Sequence, residues 1–492
     1  MVKSLGIFRK TSGKFILTTF FLVVMSGGYA QQENTMYFMD RVPYVSTLNP
    51  AITPECKFYL GGLLFPISGQ IPPSMYASAY VPFSYSDAIR YGDGSYSDSL
   101  VLPLYSTEYF NDFKKRLRNQ NVISAELQLP LLNFGFRIKK QHFLNFSITE
   151  KFYANSIFPK DLLIFPVEGN GAHEELTLNG IAFNAGAYRE YALGYKHQVN
   201  KYFKVGATIK YLNGYYNLYS LPSEITLKTN RAETQLEINA NMQINTSLPI
   251  DSVSLDSDGN ASDVAIREPS KDEIVELLTF SPNRGVAFDF GLAKDFNSEI
   301  TLYASAVDIG FINWNNDPYT FDFQGKQNIV GVKIDSIDFQ DAIDSYKIDS
   351  LFNDFNYKAT SGSYRQWLPA KFYLGADYRL KKWVKLGLVY RAEYTNQHLF
   401  HAVTGSVNLK YAKFANTSLS YTIKNNSYYN LGFGTSFAMG PYTMFFISDN
   451  IGAAIWWHKS QLFAFRMGTS MVFGTRDKKK ARSSVPLLRQ FE

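Results

Sequence analysis

The sequence predicts an all-β protein, an antiparallel transmembrane β-barrel of 14 strands with 16 as the alternative count. Three observations carry that expectation. An export leader is followed by no further apolar run long enough for a membrane helix. Segments of about 9 to 13 residues alternate with period two between an aromatic or apolar face and a small or charged one. Connections alternate between tight turns and long loops, as they do in outer-membrane barrels.

Composition narrows the field further. Of 492 residues, Phe 40, Tyr 34 and Trp 5 make 16% aromatic against 19% charged. Such a chain has enough apolar surface to offset ordering entropy, which excludes a disordered protein. Cys56 is the single cysteine, so no intrachain disulfide framework exists. Mean hydropathy is −0.17, which argues against a bundle of membrane helices. Each end of the chain carries +4, so the body between them is net −2 of the total +6. A nucleic-acid surface needs cations spread over a folded face, and here the ends supply the whole excess.

The first element, residues 1–30, is expected to be a cleavable signal peptide. Lys3, Arg9, Lys10 and Lys14 precede the 11-residue apolar stretch from Phe15 to Met25, and Ser26-Gly-Gly-Tyr-Ala30 supplies a small-residue cleavage site. Cleavage after Ala30 starts the mature chain at Gln31, which is not a cysteine and so offers no lipid anchor at that junction.

Residues 31–56 follow as a segment before the first strand, and 57–475 hold the barrel. Phe203, Val205, Ala207, Ile209 and Tyr211 alternate with Lys204, Gly206, Thr208 and Lys210. The same pattern recurs over 371–380, over 384–394 and over 463–473. In a membrane barrel the aromatic face meets lipid and the polar face fills the lumen. Lys204, Lys210, Lys371, Asp377, Arg379, Lys385, Arg391 and Glu393 are therefore the candidate lumen charges, with Asp377 and Arg391 on adjacent strands placed to pair. By the same logic Gly387→Ser, on the inner face, is expected to be milder than Leu388→Arg on the outer one.

Tight turns at 139–141, 200–201, 295–297, 381–382, 412–415 and 440–441 are expected at the periplasmic rim. The long outer connections are 85–121, 154–186, 241–284, 311–370 and 448–461. From 285 to 474 the parity gives nine crossings. Upstream, 57–66, 74–85, 122–138, 142–153, 186–199 and 202–213 read as strands, one of which does not span if the total is 14, and 216–245 has room for one or two more. Helical spacing marks 108–119, 272–279 and 339–355 as short helices in outer loops. Residues 476–492 form a basic tail, expected in the periplasm.

Certain residues resemble a known family. Asn49-Pro50-Ala51, just before the first strand, resembles the entry of FadL-like barrels, whose preceding segment folds into the lumen as a hatch. Arg284 to Ala293, Ala306 to Trp314, Leu368 to Tyr378, Asn430 to Gly434 and Ser448-Asp-Asn450 resemble an uncharacterised family of Bacteroidota outer-membrane proteins, a domain of unknown function. That family is grouped with FadL-like barrels and with outer-membrane components of type IX secretion. The resemblance spans the mature chain through strand glycines and turn residues, so it implies fold and outer-membrane address and carries over no catalytic or ligand residues. The basic tail departs from barrels that stop at a terminal aromatic.

Chemical motifs are sparse. No histidine pair has metal-ligand spacing with a suitable acid, and His398 and His401 fall in what reads as a short outer loop. Asp256-Ser-Asp258-Gly-Asn260 resembles the core of a calcium loop but fails the template at Ser254 and Ala265. There is no Gly-x-Ser-x-Gly and no phosphate loop. No catalytic residue, metal or cofactor is expected, and the chain is not expected to be an enzyme. The leading functional expectation is passive transport of a hydrophobic or amphipathic small molecule. The alternative is an accessory barrel holding a periplasmic or surface protein partner. Lipid of the cell outer membrane is the expected surrounding.

Overall fold

The computed structural model describes residues 34–62, 74–168, 175–230, 235–255, 261–330, 357–395, 397–410, 414–424 and 427–474. The leader, the calcium-loop-like stretch 256–260, the expected helix at 339–355 and the basic tail lie outside these residues.

The protein is a closed barrel of 14 antiparallel strands. The first, β1, is described in two pieces, Phe58–Gly61 and Met75–Tyr80. It is followed by β2 (Gln120–Ile138), β3 (His142–Pro159), β4 (Ala182–Gln198) and β5 (Phe203–Ser220). Then come β6 (Arg284–Asp295), β7 (Ile300–Trp314), β8 (Ala370–Lys381), β9 (Val384–Thr395) and β10 (His398–Leu409). The last four are β11 (Ala415–Lys424), β12 (Ser427–Met439), β13 (Tyr442–Ser448) and β14 (Leu462–Phe473). Closure comes from β14 against β1, where Phe58 faces Phe473 and Met75 faces Met467. No barrel edge is therefore left for another chain to extend.

The nine crossings from 285 onward are β6 to β14. Upstream, 57–66 and 74–85 contribute two pieces of one strand, since both pair β2 on one side and β14 on the other. Residues 216–245 add no crossing. They lengthen β5 to Ser220 and then build strands Glu224–Asn230 and Gln235–Ser247. These join Glu175–Thr177, Pro318–Val330 and Tyr357–Ser361 in a sheet that continues outward from the long-loop end of β5. The 14-strand count holds because this material stands above the barrel rather than in its wall.

Two expected loop helices form, α1 (Thr107–Arg116) and α3 (Lys271–Phe280), with α2 (Asp161–Glu168) between them. Serine caps start α1 and α3. Ser106 accepts from Tyr109 N at 3.2 Å, and Ser270 accepts from Glu273 N at 3.2 Å, satisfying donors that the first helical turn leaves open. His398 and His401 belong to β10 rather than to a loop, with His401 Nδ1 2.5 Å from the Tyr390 hydroxyl across the β9–β10 pair. No helix among the described residues is long and apolar enough to cross a membrane.

Period two sets the faces. Along β9, Leu386, Leu388 and Tyr390 are exposed on the outer wall, while Gly387, Val389 and Arg391 face inward. Ile209, Phe288, Phe290, Leu374, Leu419, Tyr421 and Leu431 continue the same outer belt on other strands.

Candidate functional site

The inside of the barrel is occupied by the chain's own N-terminal segment. Short 3-10 turns at Asn34–Phe38 and Pro43–Thr47 fold into the lumen, where proline at the start of the second pre-sets its backbone. Met36, Tyr37, Phe38, Met39, Val42, Tyr44, Val45, Leu48 and Ile52 are all buried. They pack on apolar side chains of β7, β8, β9 and β13: Val307, Tyr373, Val389, Phe445 and Ile447. Tyr37 stacks on Tyr373 at 5.6 Å and Tyr44 meets Phe445 at 5.5 Å.

Asn49-Pro50-Ala51 is the pivot of this segment. Asn49 Nδ2 donates to the Tyr37 hydroxyl at 3.1 Å and reaches the Leu292 and Ala304 carbonyls at 3.3 Å, while Oδ1 accepts from Ala51 N at 2.9 Å. Burial pushes the Tyr37 phenol up to about 12, so it accepts as a neutral hydroxyl. The wall beneath is cut away to receive the motif. A Cβ on Gly206 of β5 would stand 2.2 Å from the Pro50 carbonyl oxygen, and one on Gly291 of β6 would stand 2.2 Å from Asn49 Oδ1. Only glycine permits that approach.

Charged contacts hold the segment at the turn rim. Asp40 pairs with Lys385 at 3.2 Å and Glu55 with Lys410 at 2.9 Å. Lys196 Nζ donates to the Ile52 carbonyl at 3.0 Å, and Arg137 donates to the carbonyls of Pro54 at 3.0 Å and Cys56 at 3.2 Å. Burial pushes the Cys56 thiol up to about 11, so it is protonated at neutral pH.

Facing the segment, strands β2 to β9 carry a layer of buried ion pairs. Lys210 Nζ lies 2.6 Å from Asp308, 2.8 Å from Asp289 and 3.6 Å from Glu190. Lys151 lies 2.7 Å from Glu190 and 3.5 Å from Asp308, and Lys371 lies 3.8 Å from Asp308 and 3.9 Å from Glu126. Mutual pairing with further hydrogen bonds is what makes buried charge tolerable. Between this layer and the N-terminal segment lies a cavity of about 60 Å³, touched by Leu48, Lys151, Lys210, Asp308 and Arg391. That is room for a few waters, far below the roughly 300 Å³ or more of a drug-sized ligand pocket.

Six of the eight candidate charges stand in the lumen: Lys210, Lys371, Asp377, Lys385, Arg391 and Glu393. Lys204 and Arg379 stand at the turn rim instead, with Arg379 donating to the Ser298 carbonyl at 3.2 Å. Their strands begin or end there, so an inward parity brings them to the mouth. The expected Asp377–Arg391 pair does not form. Asp377 takes Lys385 at 3.3 Å and the Tyr303 hydroxyl at 2.6 Å, and Arg391 takes Glu393 two residues along β9.

Glu126, Lys151, Glu190, Asp289 and Asp308 were not among the sequence candidates. Asp289 between Phe288 and Phe290 carries the period-two signal. Asp308 does not, because a bulge where Phe288 faces Ile309 and Phe290 faces Ala306 puts both Val307 and Asp308 on the inner side. Asp308 takes φ 59°, and its N–H donates to Asp289 Oδ1 at 2.8 Å.

A closed 14-strand wall, an inserted N-terminal segment and a charged inner layer define a plugged β-barrel. A family model matches residues 50–449, and the chain belongs to that family, DUF5723, a family of unknown function. No curated protein matches the sequence. Among solved structures, the chain is similar to a FadL homologue of Pseudomonas aeruginosa (8% identity, 92% of this chain and 100% of the other, TM-score 0.39). It is also similar to the Pseudomonas putida toluene transporter TodX (8%, 90% and 94%, TM-score 0.33) and to the translocator domain of the autotransporter NalP from Neisseria meningitidis (5%, 85% and 88%, TM-score 0.28). With values this low, what those proteins carry stays a property of those proteins.

Proposed function

We propose that this protein is an outer-membrane barrel whose N-terminal segment, residues 34–56, is a hatch that gates passage of a small amphipathic molecule. The observation that carries the reading is the seat of the hatch. It lies in a lumen where an apolar patch, Val307, Tyr373, Val389, Phe445 and Ile447, borders a charged layer, and β7, β8 and β9 contribute to both. A hatch that leaves this seat uncovers apolar and charged groups next to each other, which suits a molecule with a hydrocarbon part and a polar head. The apolar outer belt supports the membrane address, because inserting such a face in lipid removes it from water.

The alternative, an accessory barrel for a protein partner, is favoured by two observations. The cavity between the segment and the ion-pair layer has room for a few waters, and the sheet above β5 offers a surface outside the membrane. Under that reading the basic tail contributes a salt-sensitive contact, because attraction between exposed charges is screened.

The experiment is transport of a long-chain carboxylate, oleate, into proteoliposomes. Gly291→Val, which drives a side chain into Asn49, should unseat the hatch and raise uptake well above that of the intact protein. Uptake equal to empty liposomes for both proteins would remove the passage reading and leave the accessory one.

A further inference from the structure

The far end of the hatch is held by the loop that follows β13. Thr35 N donates to Asp449 Oδ1 at 2.8 Å, and the Thr35 hydroxyl reaches the same oxygen at 2.5 Å. The Thr35 hydroxyl also lies 2.7 Å from Ser420 Oγ, and Asn34 Nδ2 donates to Thr404 Oγ1 at 2.9 Å. All of these groups are buried, with Thr35 at 0% and Asp449 at 2% exposure. A carboxylate accepting two bonds in a desolvated site gives charge-assisted hydrogen bonds, about twice as strong as neutral ones. The wall has been shaped around this contact, since a Cβ on Gly432 would stand 2.3 Å from Thr35 Oγ1.

Asp449 is part of a folded loop that reaches the surface. Its N–H donates to the Ala464 carbonyl at 3.3 Å, and Asn450 Nδ2 clamps the far side of the loop through Ser460 Oγ and the Leu462 carbonyl, both at 2.8 Å. Between the clamps run short helical turns, Gly452–Ile455 and Trp457–Lys459, whose Ile455, Trp456 and Trp457 side chains are more than half exposed. The loop also touches its neighbour before β2, through Ser86 Oγ to the His458 carbonyl at 2.9 Å and Tyr85 against Trp457 at 5.1 Å. The hatch is covalently tied to the barrel at β1, at the turn rim. At Asn34 and Thr35 it is held by side chains, and among the described residues the carboxylate there, Asp449, belongs to a loop of the opposite rim.

We infer that Asp449 is a latch on the hatch tip, and that the loop 449–461 couples events at the outer mouth to hatch release. The inference rests on the hatch-gating reading and adds the residue and loop that control it. A shift of the loop carries the carboxylate away from Thr35, and the tip then loses its charge-assisted bonds while the turn-rim end stays anchored.

The test reads hatch position directly. Met36, fully buried in the hatch, is replaced by cysteine in a Cys56→Ser background, and its reaction with a water-soluble maleimide is timed in the full-length protein. Asp449→Ala should speed labelling about tenfold or more, the loss expected for removing a charged acceptor from buried donors. Thr35→Val should act in the same direction. The two changes share the bond from the Thr35 hydroxyl to Asp449, so the double variant should be faster than the parent by less than the product of the two single effects. Asp449→Asn, nearly isosteric, should give a smaller rise and serves where the alanine variant does not fold. Asn450→Ala loosens the loop clamp and should raise labelling too. Parental rates in both Asp449 variants overturn the latch, and a parental rate in Asn450→Ala alone overturns its coupling to the loop. The gating reading fails separately: fast labelling in Asp449→Ala with no oleate uptake upholds the latch and removes passage, whereas uptake by Gly291→Val with parental labelling in Asp449→Ala does the opposite.

Discussion

Asp308 is the residue on which the inner layer converges, with Lys151, Lys210 and Lys371 all within 4 Å of its carboxylate. Asp308→Ala leaves three ammonium groups facing a reduced set of anions and should cost about 3 to 5 kcal/mol, the usual penalty for breaking one side of a buried pair. A urea titration of the folded barrel checks it, and a change below about 1 kcal/mol would mean that the lysines are hydrated rather than paired. Asn49 acts through hydrogen bonds alone. Asn49→Ala strips the Tyr37 hydroxyl and Ala51 N of a partner in a buried site and should cost about 1 to 3 kcal/mol. That loss belongs to seating the hatch rather than to the wall. It should therefore appear as faster labelling of Met36→Cys, with little change in the heat-resistant mobility of the barrel.

At the level of strands, inner and outer faces answer to different partners, and the depth test on β9 shows it. Leu388 is 57% exposed on the outer belt, and Leu388→Arg should cost about 2 to 4 kcal/mol if it lies near the bilayer midplane. The alternation alone makes Gly387→Ser the milder change. In the folded protein a Cβ at 387 would stand 2.4 Å from the Phe38 ring, so this substitution strikes the hatch and should displace it. Refolding titrations of the two variants, read together with Met36→Cys labelling, separate the effects: Leu388→Arg should lower stability without speeding labelling, and Gly387→Ser should speed labelling. The contrast explains what the sequence could reveal. Strand faces were legible because period two is a property of each strand by itself. The nine crossings from 285 onward, the capped helices α1 and α3 and the six inward charges follow from local pattern in the same way. The split β1, the outward sheet drawn from 216–245, and the pairing of Asp377 with Lys385 depend on which strand lies beside which, and no local period encodes that. Asp308 escaped because a bulge resets the parity of β7 where the aspartate matters.

In the whole molecule the barrel is the wall, and under the proposed function the hatch is the part that moves. The wall closes on itself through the pairing of β14 with β1, and its ion pairs tie strands β2 to β9 together across the lumen. Among the described residues the hatch adds apolar contacts to β7, β8, β9 and β13 and runs into β1 at the turn rim. Removing it should leave the wall intact, because each barrel strand finds its neighbours without hatch backbone in the ladder. Planar-bilayer recording of the purified protein tests this most directly, comparing the intact chain with one lacking residues 34–50. The intact barrel should stay closed apart from brief openings, and the shortened one should give a steady open channel. Equal conductance in the two, whether both open or both closed, would contradict the claim that the hatch closes the lumen.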